Sequence, residues 1–146
     1  MDNFQKFLNS IYQNISTAIQ SIEDITPNVK NTSLKEELAT ENSNYLVLQK
    51  ECEAIAKAES IDIKDNDWFE KARLFTTIKM TTTFDKTTRN ITEKLLIGTI
   101  MGVITCYKDQ CDYEGVSTEL MELSKKLLSL EEENFNNLKK YLCVKD

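Results

Sequence analysis

The stretch FQKFLNSIYQNISTAIQSIEDI, residues 4–25, decides the fold class. Its apolar side chains fall at Phe4, Phe7, Leu8, Ile11, Tyr12, Ile15, Ala18, Ile19, Ile22 and Ile25. At 100° per residue, these steps of three and four keep them on one helical face, with no charge interrupting it. Pro27 ends the pattern, because proline disfavours helix at the residue before it.

The same period continues downstream. Ser33-Leu34-Lys35-Glu36 reads as a capping box, with the serine hydroxyl placed for one orphan amide and the glutamate for another. The stripe that follows runs Leu34, Leu38, Glu41, Tyr45, Leu48, Cys52, Ile55 and Ala56. Residues 60–66 read as a connecting loop, and Asp67-x-x-Glu70 as the cap of a third helix carrying Trp68, Phe69, Ala72, Phe75 and Ile78. A single helix from Asp67 to Gln110 would be roughly 65 Å long and would outrun its neighbours, which reach about 40 Å. A turn or kink is therefore expected at Asp85-Lys86-Thr87-Thr88, where short polar side chains compete for backbone bonds. The segment from about Thr88 to Gln110 is apolar on nearly every side, which predicts burial at the centre of the molecule or in a subunit interface. Gly115 then punctuates, and the last helix presents Val116, Leu120, Leu123, Leu127, Leu130, Asn134, Leu138 and Tyr141.

The expected fold is all-α: one domain over residues 1–146, an antiparallel four-helix-bundle-like structure built from about five helical segments. Composition agrees. Three glycines and one proline in 146 residues are too few for the turns of an all-β chain. The chain is 40% hydrophobic and 29% charged, too apolar for intrinsic disorder.

A net charge of −6, without a basic stripe, argues against nucleic acid and against an anionic membrane surface. The uncharged run from Leu95 to Tyr107 is shorter than the roughly 20 residues that a membrane-spanning helix needs. MDNFQKFLNS lacks the features of a signal peptide, so the four cysteines read as reduced thiols and the expected location is cytoplasmic.

Four stretches resemble a family of small helical-bundle proteins from low-GC Gram-positive bacteria, itself uncharacterised. They are SIEDITP (21–27), SLKEEL (33–38), ITEKLLIGTIMGVI (91–104) and LEEENFNNLKKYL (130–142). The resemblance spans nearly the whole chain and is most specific at Gly98–Gly102. It implies a ferritin-like or plain bundle fold and brings no catalytic residues. Richness in Asn, Lys and Ile also suits an AT-rich bacterial genome.

The candidate chemistry is sparse. Glu41 and Asn134 sit centrally in their apolar stripes, and Glu41/Asn44 and Glu131/Asn134 form two Glu-x-x-Asn pairs. Inward carboxylates at this spacing are similar to di-metal bundles, which also use Glu-x-x-His. This chain has no histidine, and asparagine replaces imidazole poorly toward iron or manganese. The alternative is a polar core layer in which Glu41 bonds to Asn134 or Lys79. On balance no metal is expected, with Glu41, Glu131 and Asn134 as weak candidates, and no cofactor.

Nine threonines between Thr76 and Thr99 either line a ligand cavity or bond back to their own helix. Gly98-x-x-x-Gly102, with Cys106 beyond, offers a small-residue face for internal packing against Trp68 or Phe75, or for a dimer seam. The absence of histidine excludes Ser-His-Asp and Cys-His catalysis, and no phosphate-binding glycine loop is present. The expected function is therefore a non-catalytic bundle acting through homo-oligomerisation or contacts with another protein. A carboxylate metal protein and a small-molecule binding module stand as alternatives.

Overall fold

A computed structural model describes residues 2–63 and 85–146, and every regular element among these is helical. The long helices are α1 (Asn3–Ile25), α2 (Thr32–Ala58), α3 (Thr88–Asp112) and α4 (Thr118–Leu138). Short 3₁₀ turns follow α1 at Thr26–Asn28 and α4 at Lys139–Cys143. Of the five expected segments, the one opened by Asp67 lies outside the described residues.

Local chemistry sets each boundary. Asp2 caps α1, its carboxylate accepting from the Gln5 amide at 2.8 Å. Pro27 stands in the 3₁₀ turn directly after α1, where the sequence places the stop. The cap of α2 is Asn31, whose Oδ1 accepts from the Leu34 amide at 2.9 Å. This corrects the expected Ser33 cap. Asparagine is as good an N-cap as serine, and the earlier residue lengthens the helix by two positions. At the expected break, Thr87 caps α3 and its hydroxyl accepts from the Asn90 amide at 3.3 Å. The Thr88 amide is held by Asp146 Oδ2 at 2.9 Å. Gly115, at φ 77°, turns the chain toward α4, which Ser117 caps. Val116, expected on the last helix, belongs to this turn.

Cross-helix contacts show how the helices run. Gln49 donates to Ser16, and only residues 26–31 join the two helices, so α1 and α2 are neighbours in an antiparallel hairpin. Ser10 bonds Asp109 and Asn14 bonds Gly102, which makes α1 antiparallel to α3 as well. Tyr45 meets Glu131, and Glu51 lies 3.6 Å from Lys126, aligning α2 antiparallel to α4. Helices α3 and α4 close the arrangement through Gln110 and Ser124. It follows that α2 and α3 are parallel, with Ile63 and Asp85 at opposite ends of the helices.

The predicted faces are the buried faces. From α1 the core takes Phe7, Leu8, Ile11, Tyr12, Ile15, Ile19, Ile22 and Ile25, joined by Leu34, Leu38, Tyr45, Leu48 and Cys52 of α2. Leu120, Leu123, Leu127, Leu128 and Leu138 complete it from α4. Each fully buried Leu, Ile or Phe contributes roughly 1.5–3 kcal/mol relative to exposure.

Helix α3, expected at the centre of the molecule or in a subunit interface, is covered on one side only by the described residues. It buries Ile91, Leu95, Leu96, Gly102 and Cys106, yet its other side faces outward. Ile97 (54%), Ile100 (44%), Met101 (59%), Ile104 (52%) and Tyr107 (52%) are all exposed, so the other described residues do not cover the helix all round. Two opposite apolar sides look the same on a wheel whether one or both are covered.

Candidate functional site

Two features of α3 lie back to back, a buried polar layer on its inner side and the apolar stripe on its outer side.

The polar layer is centred on Glu131, which is 1% exposed. Its carboxylate accepts from the Tyr45 hydroxyl at 3.2 Å and from the Cys106 thiol at 3.6 Å. Asn14 Nδ2 donates to the Gly102 carbonyl at 3.0 Å and approaches Cys106 Sγ at 3.5 Å. The layer thus draws one group or more from each long helix: Asn14 of α1, Tyr45 of α2, Gly102 and Cys106 of α3, and Glu131 of α4. Gly102 matters because it has no side chain. A Cβ there would collide with Glu131 Oε2 and stand 2.8 Å from Asn14 Oδ1.

Burial raises Glu131 from the usual carboxylate range to about 7, and the bonds from Tyr45, Asn14 and Cys106 pull it back only in part. Cys106 is raised further, first by burial and then by the neighbouring carboxylate, and remains a thiol. One turn before Tyr45, Glu41 is 3% exposed and lifted to about 10 by burial and by its contact with Glu37. At neutral pH Glu41 is therefore an uncharged acid. Among the described residues its Oε2 has no hydrogen-bond partner, and neither has Asn134 Nδ2.

The sequence candidates fall into place unevenly. Glu41, Glu131 and Asn134 are all buried, and all three border Tyr45. Glu41 leans on Glu37, whereas Glu131 leans on Tyr45, Asn14 and Cys106. Asn44 is exposed, so the two Glu-x-x-Asn pairs are not equivalent. Among the described residues, no three His, Cys, Asp or Glu side chains are grouped so as to hold a metal ion. Gly102 and Cys106 face inward, while Gly98 is exposed with nothing within 4 Å of its missing Cβ. The expected contacts with Trp68, Phe75 and Lys79 lie outside the described residues.

Three of the described threonines of α3 bond to their own helix. Thr92 donates to Thr88 O at 2.7 Å, Thr99 to Leu95 O at 2.8 Å and Thr105 to Met101 O at 3.0 Å. Their hydroxyls are satisfied locally, as the packing alternative requires. Thr76 to Thr83 lie outside the described residues.

Sequence reasoning missed Asn14 and Asp109. Asn14 completes the row Phe7, Ile11, Asn14, Ala18, and that place inside an apolar stripe is the signal that pointed to it. Asp109 is 8% exposed, raised to about 6 by burial, and accepts from Ser10 at 2.7 Å.

On the outer side, Ile97, Ile100, Met101, Ile104 and Tyr107 recur every three or four positions and form one stripe. No described helix is long and apolar enough to cross a membrane. Comparison with protein-family models, with curated proteins and with solved structures found no match.

Proposed function

We propose that this chain is a non-catalytic, antiparallel four-helix-bundle-like protein that acts through contacts with other protein, made by the outer stripe of α3. The observation that carries the reading is the run of five large apolar side chains, 44–59% exposed, on one helix. Scattered exposed apolar residues are ordinary on a protein surface, but a contiguous stripe marks an interaction site.

The inner polar layer supports the same reading. The Glu131 carboxylate fills the space beside Gly102, and Tyr45 and Cys106 occupy its lone pairs. A reacting carboxylate must be reachable by a substrate, whereas this one is enclosed by its own chain. Its role is to fix how α1, α2 and α4 pack on α3, holding the outer side of that helix in place.

The test is a photoreactive amino acid at Ile104, placed in the full chain and activated in the cell of origin. The expected result is a discrete adduct to a second polypeptide that disappears when Ile97 is changed to Glu. No adduct, or one confined to a single chain, overturns the proposal.

A further inference from the structure

We infer that the occupant of the α3 stripe is the α3 stripe of a second copy of this chain, the two helices crossing antiparallel about a two-fold axis at the level of residue 102. This rests on the docking role proposed above and specifies its partner.

The spacing is that of a short coiled-coil seam. Ile97, Ile100, Ile104 and Tyr107 follow the alternating steps of three and four that let two helices interlock, with Met101 beside the seam at its centre. A two-fold contact uses one patch twice, so the stripe needs no second complementary surface. In the antiparallel register Ile97 meets Tyr107 of the second copy, and Ile100 meets its Ile104.

The charges beyond the stripe favour this direction. Glu93 and Lys108, both exposed, lie at opposite ends of the apolar run. Antiparallel pairing sets Glu93 of each copy beside Lys108 of the other, at both ends of the seam. Parallel pairing sets Glu93 on Glu93, a like-charge contact at the seam itself. The stripe is short, and the surface that two copies would bury is on the order of 1,000 Å², the lower edge of a specific interface. The dimer is accordingly a weak, reversible one.

Native Cys111, exposed on α3, supplies the reporter. Antiparallel pairing brings position 93 of one copy opposite Cys111 of the other. It holds the two Cys111 residues about 27 Å apart at about 1.5 Å per residue, far beyond disulfide reach. The experiment uses the full chain with Cys143→Ser, with and without Glu93→Cys, under mild oxidation at high protein concentration. Circular dichroism confirms the fold of each variant. The expected result is a disulfide-linked dimer with Glu93→Cys and none in the parent. Adding Met101→Lys should cut the cross-linked fraction about tenfold or more, the loss that about 1.4 kcal/mol of contact energy implies.

A cross-link through Cys111 in the parent, or none with Glu93→Cys, overturns the antiparallel pairing. If that happens while the Ile104 photoadduct joins a chain of different sequence, self-pairing falls and the docking role stands. An adduct within one chain, to residues 64–84, overturns both.

Discussion

The Glu131 carboxylate occupies the volume that a side chain at Gly102 would need. A Cβ on Gly102 would also lie 2.8 Å from Asn14 Oδ1, so neither neighbour leaves room. Gly98, one turn earlier on the same helix, is exposed and has none of the described residues within 4 Å of an added Cβ. Alanine should therefore act with opposite sign at the two positions. Gly98→Ala should stabilise by up to about 1 kcal/mol, the helix-propensity gain. Gly102→Ala should destabilise by roughly 1–3 kcal/mol, as overpacking does. Urea unfolding of the two variants checks this, and a gain in stability at Gly102 would sink the packing account.

Three buried carboxyls should make the chain more stable in mild acid than in mild base. Glu131 rises from 4.5 to about 7, Asp109 from 3.8 to about 6 and Glu41 from 4.5 to about 10, burial being the largest cause each time. The folded state therefore binds these protons more tightly than the unfolded chain. Their stabilisation is complete below the unfolded values and is lost as pH rises through the folded ones. For Glu131 the loss falls between about pH 4.5 and 7 and amounts to a few kcal/mol. The urea midpoint should be higher at pH 5.5 than at pH 8.5, and Glu131→Gln should narrow the gap. A midpoint that rises with pH would contradict the assignment.

Cysteine reactivity should divide two and two. Cys111 and Cys143 are exposed, while Cys52 and Cys106 are buried, and burial pushes Cys52 up to about 12. A thiol reagent at pH 8 should label two cysteines quickly and the other two only after denaturation. Rapid labelling of all four would show that the core opens readily.

At the start of α2, Asn31→Ala should cost about 1 kcal/mol, because it strips the acceptor from the Leu34 amide. Ser33→Ala should change stability little, since that residue is already inside the helix and exposed. Thermal melts of the two variants separate them. A larger loss at Ser33 would restore it as the cap.

Much of this architecture was legible in the sequence, for identifiable reasons. The stripe of α1 contains no charge, and Pro27 has one role after a helix. Glu41 and Asn134 announced their burial by sitting within rows of apolar residues, whereas Glu131 stood one turn before Asn134 and outside the row. Their partners stayed hidden because Tyr45 and Asn14 reach Glu131 across 86 and 117 positions of chain, and helical periodicity says nothing about which faces meet. The start of α2 was misplaced because Asn31, Thr32 and Ser33 are all competent caps in a row. Which of the two expected covers the outward side of α3 takes, the rest of the molecule or a second subunit, stayed open for the converse reason. Ile97, Ile100 and Ile104 carry no mark separating an uncovered apolar residue from a covered one.

The hydrogen bonds of the polar layer, with the separate Ser10–Asp109 bond, also bear on the order of assembly. Helices α1 and α2 are neighbours in sequence, as are α3 and α4, so each hairpin can close early over a short loop or turn. The bonds from Ser10 to Asp109, from Asn14 to Gly102 and from Tyr45 to Glu131 join one hairpin to the other across 99, 88 and 86 residues. Such contacts form late, when loop-closure entropy has already been met by apolar association. Loosening them should quicken unfolding and leave the refolding rate nearly unchanged, so the layer works as a latch on a door already shut.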